Sequence, residues 1–339
     1  MQLPLPPTTE HALIGQSANL PTTFATPTLT LTPITLSTPT RPVPLQLRLT
    51  IPATASPAEP LPIILLSHGQ GASNNLSSFN GYAPLADHWA AHGFAVIQPT
   101  HLSSKRLSLP ASTPGAPMFW RERVHDMKSI LDRLDEIESA AGAFLQGGRV
   151  GLDRERVAVA GHSMGAHTAS VLLGMQLRDP SNGEMIDDLA EPETRIKAGI
   201  LLAGVGDGGR ESLSEWGWTN IPFHREVSFE GMKTPCLVVV GDEDESKHIT
   251  NKGWKWHADP FHLAPGPKDL FTVFGGDHCF GISGWDAKET VGESMERVAA
   301  VQRVTTGYLK GVLGVDAEGW RGVVDALGKI GEVGSVESK

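Results

Sequence analysis

Apolar positions along this chain follow two rhythms, and the change from one to the other marks out the elements. Short continuous apolar runs occur at Pro62-Ile63-Ile64-Leu65-Leu66-Ser67, Phe94-Ala95-Val96-Ile97-Gln98, Val157 to Ala160, Ala198 to Leu202, Cys236 to Val240 and Leu270 to Phe274. Runs this short without polar alternation suit strands buried on both faces. Between them the apolar spacing lengthens to three and four. Trp120 to Ile137 puts Val124, Met127, Ile130, Leu131, Leu134 and Ile137 on one helical face; Met295 to Leu313 does so with Val298, Val301, Val304, Tyr308 and Val312. Strands alternating with helices predict an α/β domain, its mostly parallel central sheet covered by helices on both faces.

The first sixty residues differ. They hold 12 of the 25 prolines, and their only charged residues are Glu10, Arg41, Arg48 and Glu59. Residues 1–25 read as an extended arm with little to bury. Thr28 to Thr32 and Leu45 to Ile51 alternate with period two and predict two edge strands, positions that tolerate nearby proline. A glycosylated Thr/Pro stalk is the competing reading, disfavoured by the short length and the missing signal. A single domain is expected over 26–330, with a cap-like excursion at about 204–232 and a flexible tail at 331–339.

Composition narrows the classes. The net charge is −10 and no Lys/Arg-rich run occurs. An acidic surface repels phosphate backbones and anionic lipid, so nucleic acid is not an expected partner. No apolar run approaches the roughly 18 residues of a membrane span. The N-terminus lacks a basic stretch followed by an apolar core, so a cytoplasmic protein is expected. The two cysteines, Cys236 and Cys279, read as small buried residues at strand ends rather than as a disulfide, redox or metal pair.

The chemistry begins at Arg156-Val157-Ala158-Val159-Ala160-Gly161-His162-Ser163-Met164-Gly165-Ala166. An apolar strand runs into Gly-x-Ser-x-Gly and then a small-residue helix start, the setting in which a serine is held on a sharp turn with its hydroxyl exposed. The flanking glycines are needed because the turn crowds neighbouring backbones. Serine is a weak nucleophile alone; it requires a base, a group to orient that base, and donors for an oxyanion.

Candidates for each role follow at later strand exits. Val240 runs into Gly241-Asp242-Glu243-Asp244-Glu245, and Asp244 is favoured because a tight turn at Gly241 returns the third following residue to the sheet edge; Asp242 is the reserve, and a solvated acidic turn the alternative. Among thirteen histidines, His278 in Gly275-Gly276-Asp277-His278 follows both serine and acid at a strand exit; His248, His257 and His262 fall in a connection instead. For the oxyanion, one N–H is expected from Met164. The other is expected from Gln70, in the glycine-bearing loop Ser67-His68-Gly69-Gln70-Gly71.

The pieces Leu61 to Gly71, Trp120-Arg121-Glu122-Arg123-Val124-His125-Asp126, Gly161 to Thr168 and Gly275-Gly276-Asp277-His278 resemble the α/β-hydrolase superfamily. The resemblance spans about 26–313 and is greatest to the branch of dienelactone-hydrolase-like proteins, chlorophyllases and platelet-activating-factor acetylhydrolases. It implies an α/β-hydrolase fold and an ester-hydrolysing serine enzyme with Ser163, Asp244 and His278 as triad. It also implies Gln70 and Met164 as oxyanion donors, with no metal or organic cofactor. Position 166 is alanine where many relatives carry glycine, and the acidic loop lacks their apolar and proline continuation, which leaves Asp242 open.

The expected activity is hydrolysis of small carboxylic esters through an acyl-enzyme. An acyltransferase or thioesterase would use the same residues, and a non-catalytic binding protein on the same fold is the alternative from another class. Trp216, Trp218, Phe223 and Phe229, then Trp254, Trp256 and Phe261, lie in excursions that overhang strand C-termini, so an apolar acyl or aryl pocket competes with plain core packing.

Overall fold

Successive residues of the run Ile63-Ile64-Leu65-Leu66 enter different cores. Ile63 and Leu65 belong to one apolar cluster, Ile64 and Leu66 to another, and Val157-Ala158-Val159-Ala160 divides the same way. Side chains alternate across a strand, so an unbroken apolar run is what a sheet covered on both faces requires. The computed structural model describes residues 13–71, 73, 77–145, 150–179, 182–186, 189, 191–283 and 294–339.

In chain order the strands are β1 (Thr28–Leu36), β2 (Leu45–Pro52), β3 (Leu61–Ser67), β4 (Ala95–Pro99), β5 (Leu152–His162), β6 (Gln176–Leu177), β7 (Ile196–Leu202), β8 (Val227–Ser228), β9 (Cys236–Gly241), β10 (Lys268–Val273) and β11 (Gly334–Ser338). Nine of them form one sheet in the order β1-β2-β4-β3-β5-β7-β9-β10-β11, and β6 pairs with β8 separately. Pairing from β4 through β10 is parallel, while β1, β2 and β11 join antiparallel at the flanks.

The α-helices are α1 (Ala83–Ala91), α2 (Trp120–Asp132), α3 (Leu134–Phe144), α4 (Met164–Leu172), α5 (Glu215–Asn220), α6 (Asp259–Leu263), α7 (Met295–Val312) and α8 (Gly319–Ile330). Val124, Met127 and Ile130 of α2, Ile137 of α3 and Ala169 of α4 cover one face of the sheet. Trp89 of α1, Val301, Val304 and Tyr308 of α7, and Val323 of α8 cover the other. Each large side chain buried this way contributes about 1.5–3 kcal/mol. Trp89 also satisfies its indole, which donates to Thr305 Oγ1 at 3.0 Å.

Four expectations change. Of the two strands expected at an edge, only β1 lies there; β2 is bonded on both sides. The helix expected over Trp120 to Ile137 is two helices, because Arg133 (φ −124°, ψ 27°) leaves helical geometry and its guanidinium donates to Ser37 O at 2.8 Å. The tail expected to be flexible contains β11, zipped against β10 from Asp269–Ser338 to Val273–Gly334. Of the arm, residues 1–12 lie outside the described residues; beyond them Ser17 and Leu20 are buried, and Arg303 of α7 donates to Ala18 O and Leu20 O, each at 2.9 Å. Cys236 is buried and Cys279 half-buried in the loop after His278, and neither is joined in a disulfide among the described residues.

Candidate active site

β5 delivers Ser163 into a backbone conformation few serines adopt, φ 54° and ψ −118°, and α4 starts at the next residue. Such a conformation costs on the order of 1–3 kcal/mol and persists only where neighbours enforce it. Here the Ser163 N–H donates to Leu202 O at 2.9 Å, and the Ser163 carbonyl accepts from Ala166 and His167 N–H at 2.9 and 3.1 Å. The crowding that demands glycine is direct. A Cβ on Gly161 would lie 2.1 Å from Gly165 O, and one on Gly165 would lie 2.0 Å from Ser67 O. The turn is thereby pressed against the end of β3, where the loop carrying Gln70 begins.

Beyond β9 the chain turns tightly, with Asp244 N–H donating to Gly241 O at 3.1 Å. Asp244 is buried, and its Oδ2 accepts from His278 Nδ1 at 2.7 Å. Its Oδ1 accepts from Ser246 Oγ at 2.7 Å. Asp242 is occupied elsewhere, its Oδ1 accepting from Gly275 N–H at 2.7 Å. Of the two acids left open by the sequence, Asp244 is the one that reaches the imidazole, while Asp242 pins the loop that presents His278. Asp277 shapes the far side of that loop, its Oδ1 accepting from the N–H groups of Cys279 and Phe280.

His257 also meets this carboxylate. Its Nε2 lies 3.0 Å from Asp244 Oδ2, out of line for a well-directed hydrogen bond, while its Nδ1 faces Gly204 O. Burial by itself would raise the Asp244 pKa; the contacts with His257 and His278 outweigh it and hold the carboxyl well below the usual range. Burial lowers the His278 pKa, but the hydrogen bond and charge of Asp244 exceed that effect and raise it above its ordinary 6.5. Asp244, His257 and His278 are also the set that offers metal-ligand atoms close together among the described residues.

The loop after β3 is wired into a buried polar network. Arg123, fully buried on α2, donates from Nη1 to His68 O at 2.7 Å, from Nη2 to Gly69 O at 3.2 Å and from Nε to Ser103 Oγ at 3.0 Å. One turn on, Asp126 meets His101 Nδ1 at 2.9 Å and Arg41 Nε at 3.1 Å, and His101 Nε2 lies 3.0 Å from Ser67 Oγ. Burial pushes the Asp126 carboxyl up to about 7. The Gln70 side chain is turned away to Ser103 O at 3.3 Å. Among the described residues, neither the Gln70 N–H nor the Met164 N–H has an acceptor.

His162, inside the serine motif, ties the loops together. Gly69 N–H donates to Tyr82 Oη at 2.9 Å, Tyr82 Oη lies 2.8 Å from His162 Nδ1, and His162 Nε2 lies 2.7 Å from His278 O. The serine-bearing turn, the Gln70 loop and the His278 loop are thus joined through side chains. Tyr82, His257 and the bonding roles of His68, His162 and Arg123 were missed in the sequence. His68 and His162 stood inside the quoted loop and serine motif, Arg123 inside the segment Trp120 to Asp126, and His257 among the histidines after the acid; Tyr82 carried no signal.

The excursion aromatics divide. Phe229 and Phe261 sit in the core under α2 to α4, with Trp254 packed against it. Phe223 and Trp256 instead join Met164, Leu213 and Ile221, flanked by half-buried Met118, Trp120, Val205, Trp218 and Ile249. Trp216 is 48 % exposed.

No protein-family model matches the chain, and no curated protein matches it. Among solved structures it is similar to a ferulic acid esterase from Streptomyces cinnamoneus, at 18% sequence identity and a TM-score of 0.50, covering 85% of this chain and 89% of that one. With the mostly parallel nine-stranded sheet and its helical cover on both faces, that likeness makes this an α/β-hydrolase fold.

Proposed function

We propose that the protein is a serine hydrolase of carboxylic esters, with Ser163 as nucleophile, His278 as base and Asp244 as the acid that orients it. The observation that carries this reading is the 2.7 Å bond between His278 Nδ1 and buried Asp244 Oδ2, beside the strained turn at Ser163. With the Nδ1 proton committed to Asp244, the lone pair of His278 is on Nε2.

In the first step Ser163 Oγ attacks the ester carbonyl carbon and its proton passes to His278 Nε2. The carbonyl oxygen becomes an oxyanion that accepts from the N–H groups of Gln70 and Met164, both without another acceptor among the described residues. Collapse breaks the bond to the alcohol oxygen, which takes the proton from His278. Water then gives a proton to His278 and attacks the acyl carbon, and Ser163 recovers its proton as the acid leaves. Asp244 remains ionised throughout and steadies the imidazolium.

The half-buried apolar side chains around Met164, with Trp120 stacked on Phe223 at 5.2 Å between centroids, favour an ester with an apolar acyl or aryl part. The neighbour's description as an esterase agrees with ester chemistry. The resemblance of the serine and histidine motifs to the branch of dienelactone-hydrolase-like proteins, chlorophyllases and platelet-activating-factor acetylhydrolases supports the same chemistry. Cysteines outside any disulfide are compatible with a reducing, cytoplasmic setting; among the described residues no helix is long and apolar enough to cross a membrane.

A fluorophosphonate probe tests the reading. It is expected to label Ser163 and to miss Ser163→Ala. A folded wild-type protein that takes no label and cleaves none of a panel of esters varying in acyl length would instead favour a binding protein. Product analysis with added alcohols separates hydrolysis from acyl transfer.

A further inference from the structure

Gly69 C=O and Gln70 N–H belong to one peptide group. The bond is trans, since the cis bonds of the described chain all precede proline elsewhere. A trans peptide is planar, with its C=O and N–H pointing opposite ways. Whatever grips Gly69 O therefore aims Gln70 N–H.

Two side chains grip it. His68 Nδ1 lies 2.7 Å from Gly69 O and Arg123 Nη2 lies 3.2 Å away. The His68 tautomer is settled by its other nitrogen, because His101 N–H donates to His68 Nε2 at 3.0 Å, which leaves the proton on Nδ1. Burial, reinforced by the charge of Arg123, keeps the His68 pKa well below its ordinary value, so this donor arrangement is retained in neutral solution. Arg123 secures the preceding peptide as well, donating to His68 O at 2.7 Å. Burial brings the Arg123 pKa down to about 9, which still leaves the guanidinium charged at neutral pH. Among the described residues no carboxylate makes a direct ion pair with it; Asp126, one turn along α2, acts on it from farther away and is itself pushed up to about 7 by burial. The positive charge of Arg123 therefore stands behind the peptide that faces the developing oxyanion.

We propose that Arg123 and His68 are positioning residues for the oxyanion donor: they fix the Gly69–Gln70 peptide so that Gln70 N–H faces the substrate carbonyl, and they polarise that N–H through its own carbonyl. Donors on a peptide C=O strengthen the N–H of the same peptide as a donor. Their effect is largest where negative charge develops, so it falls on the transition state rather than on substrate binding. The proposal rests on the serine-hydrolase reading.

The test compares Arg123→Met, Arg123→Lys, His68→Gln and His68→Asn on an aryl ester, with phenylboronic acid as a probe of the tetrahedral state. His68→Asn keeps an N–H near the Nδ1 position and His68→Gln does not. Expected for Arg123→Met is a fall in kcat of about 30-fold or more with KM within about twofold, since a lost oxyanion donor costs up to about 10²–10³-fold. Boronate affinity falls with kcat, the acidic limb of the pH profile stays in place, and Arg123→Lys recovers part of the rate. His68→Asn is expected to exceed His68→Gln in kcat and boronate affinity. If Arg123→Met does not fold, the two His68 variants carry the test alone. Folded Arg123→Met and His68→Gln with wild-type kcat and boronate affinity would overturn the proposal, as would losses confined to KM. A wild-type protein inert to fluorophosphonate would overturn the underlying reading instead.

Discussion

Tyr82 Oη stands 2.8 Å from His162 Nδ1, and the direction of that bond is forced by its neighbours. Tyr82 Oη already accepts from Gly69 N–H, and His162 Nε2 faces the carbonyl of His278. The phenol proton therefore goes to Nδ1, and the imidazole proton on Nε2 goes to His278 O. Burial, with the nearby charge of His278, lowers the His162 pKa to about 3, so the ring is neutral and suited to accepting on one side and donating on the other. A residue between glycine and the serine thus ties the serine turn to the loop that carries His278.

Tyr82→Phe removes the central link while keeping the ring's volume. Gly69 N–H and His162 Nδ1 then lack partners in a buried site, a cost of about 1–3 kcal/mol. Denaturant unfolding is expected to show that loss, and steady-state kinetics a kcat lowered by roughly tenfold at near-constant KM. Wild-type stability together with wild-type kcat would show that the link does not matter.

The two aspartates after β9 are expected to separate cleanly. Asp244→Asn removes the acceptor that fixes the tautomer of His278, and a loss in kcat of up to about 10⁴-fold follows from comparable triads. Asp242→Asn leaves an amide oxygen that still accepts from Gly275 N–H, so the rate is expected to stay within about threefold, the scale of a retained neutral hydrogen bond. Single-turnover hydrolysis of a short-chain aryl ester distinguishes them; collapse in Asp242→Asn alone would reverse the assignment.

The reach of the sequence is clear from particular cases. The positions of Ser163, Asp244 and His278 were legible because each stands at the exit of a continuous apolar run, and such runs arise from burial on both faces. The choice of Asp244 over Asp242 depended on how the turn at Gly241 closes, where Gly241 packs against the backbone of Gly276. The break at Arg133 was hidden because no proline or glycine marks it; packing and a bond to a distant carbonyl set it. β11 was hidden too, since Gly334-Ser335-Val336-Glu337-Ser338 is polar and becomes a strand only by pairing with β10. His257, Tyr82 and Arg123 reach the site from three separate elements, so their proximity has no spacing to betray it.

The pH behaviour follows from the two opposed shifts. The His278 pKa is raised above its ordinary 6.5, and only the neutral ring acts as base, so kcat/KM is expected to fall on the acid side with a midpoint above 6.5. For stability, the raised His278 pKa gives a contribution complete below 6.5 and lost as pH rises through the folded value. The lowered Asp244 pKa gives one complete above 3.8 and lost as pH falls toward the folded value. The pair therefore stabilises most between those limits. Thermal unfolding should show Asp244→Asn further below wild type at pH near 5.5 than near 9, and an equal gap at both would remove the pair from the stability account.

Position 165 and position 166 give the sharpest contrast in the elbow. A Cβ at Gly165 meets Ser67 O at 2.0 Å and His68 O at 2.9 Å, both backbone atoms of the strand end and loop that lead to Gln70. Neither has a flexible side chain to yield, so Gly165→Ala must displace either the serine turn or that loop. A destabilisation of about 3 kcal/mol or more is expected, at the upper end for overpacking, together with loss of fluorophosphonate labelling. Ala166 lies inside α4 with its side chain fully buried. Ala166→Gly should cost only about 1 kcal/mol, the usual price of glycine in a helix interior, and leave labelling intact. Equal labelling of Gly165→Ala and wild type would mean that the close approach of the turn to β3 is not what presents Ser163.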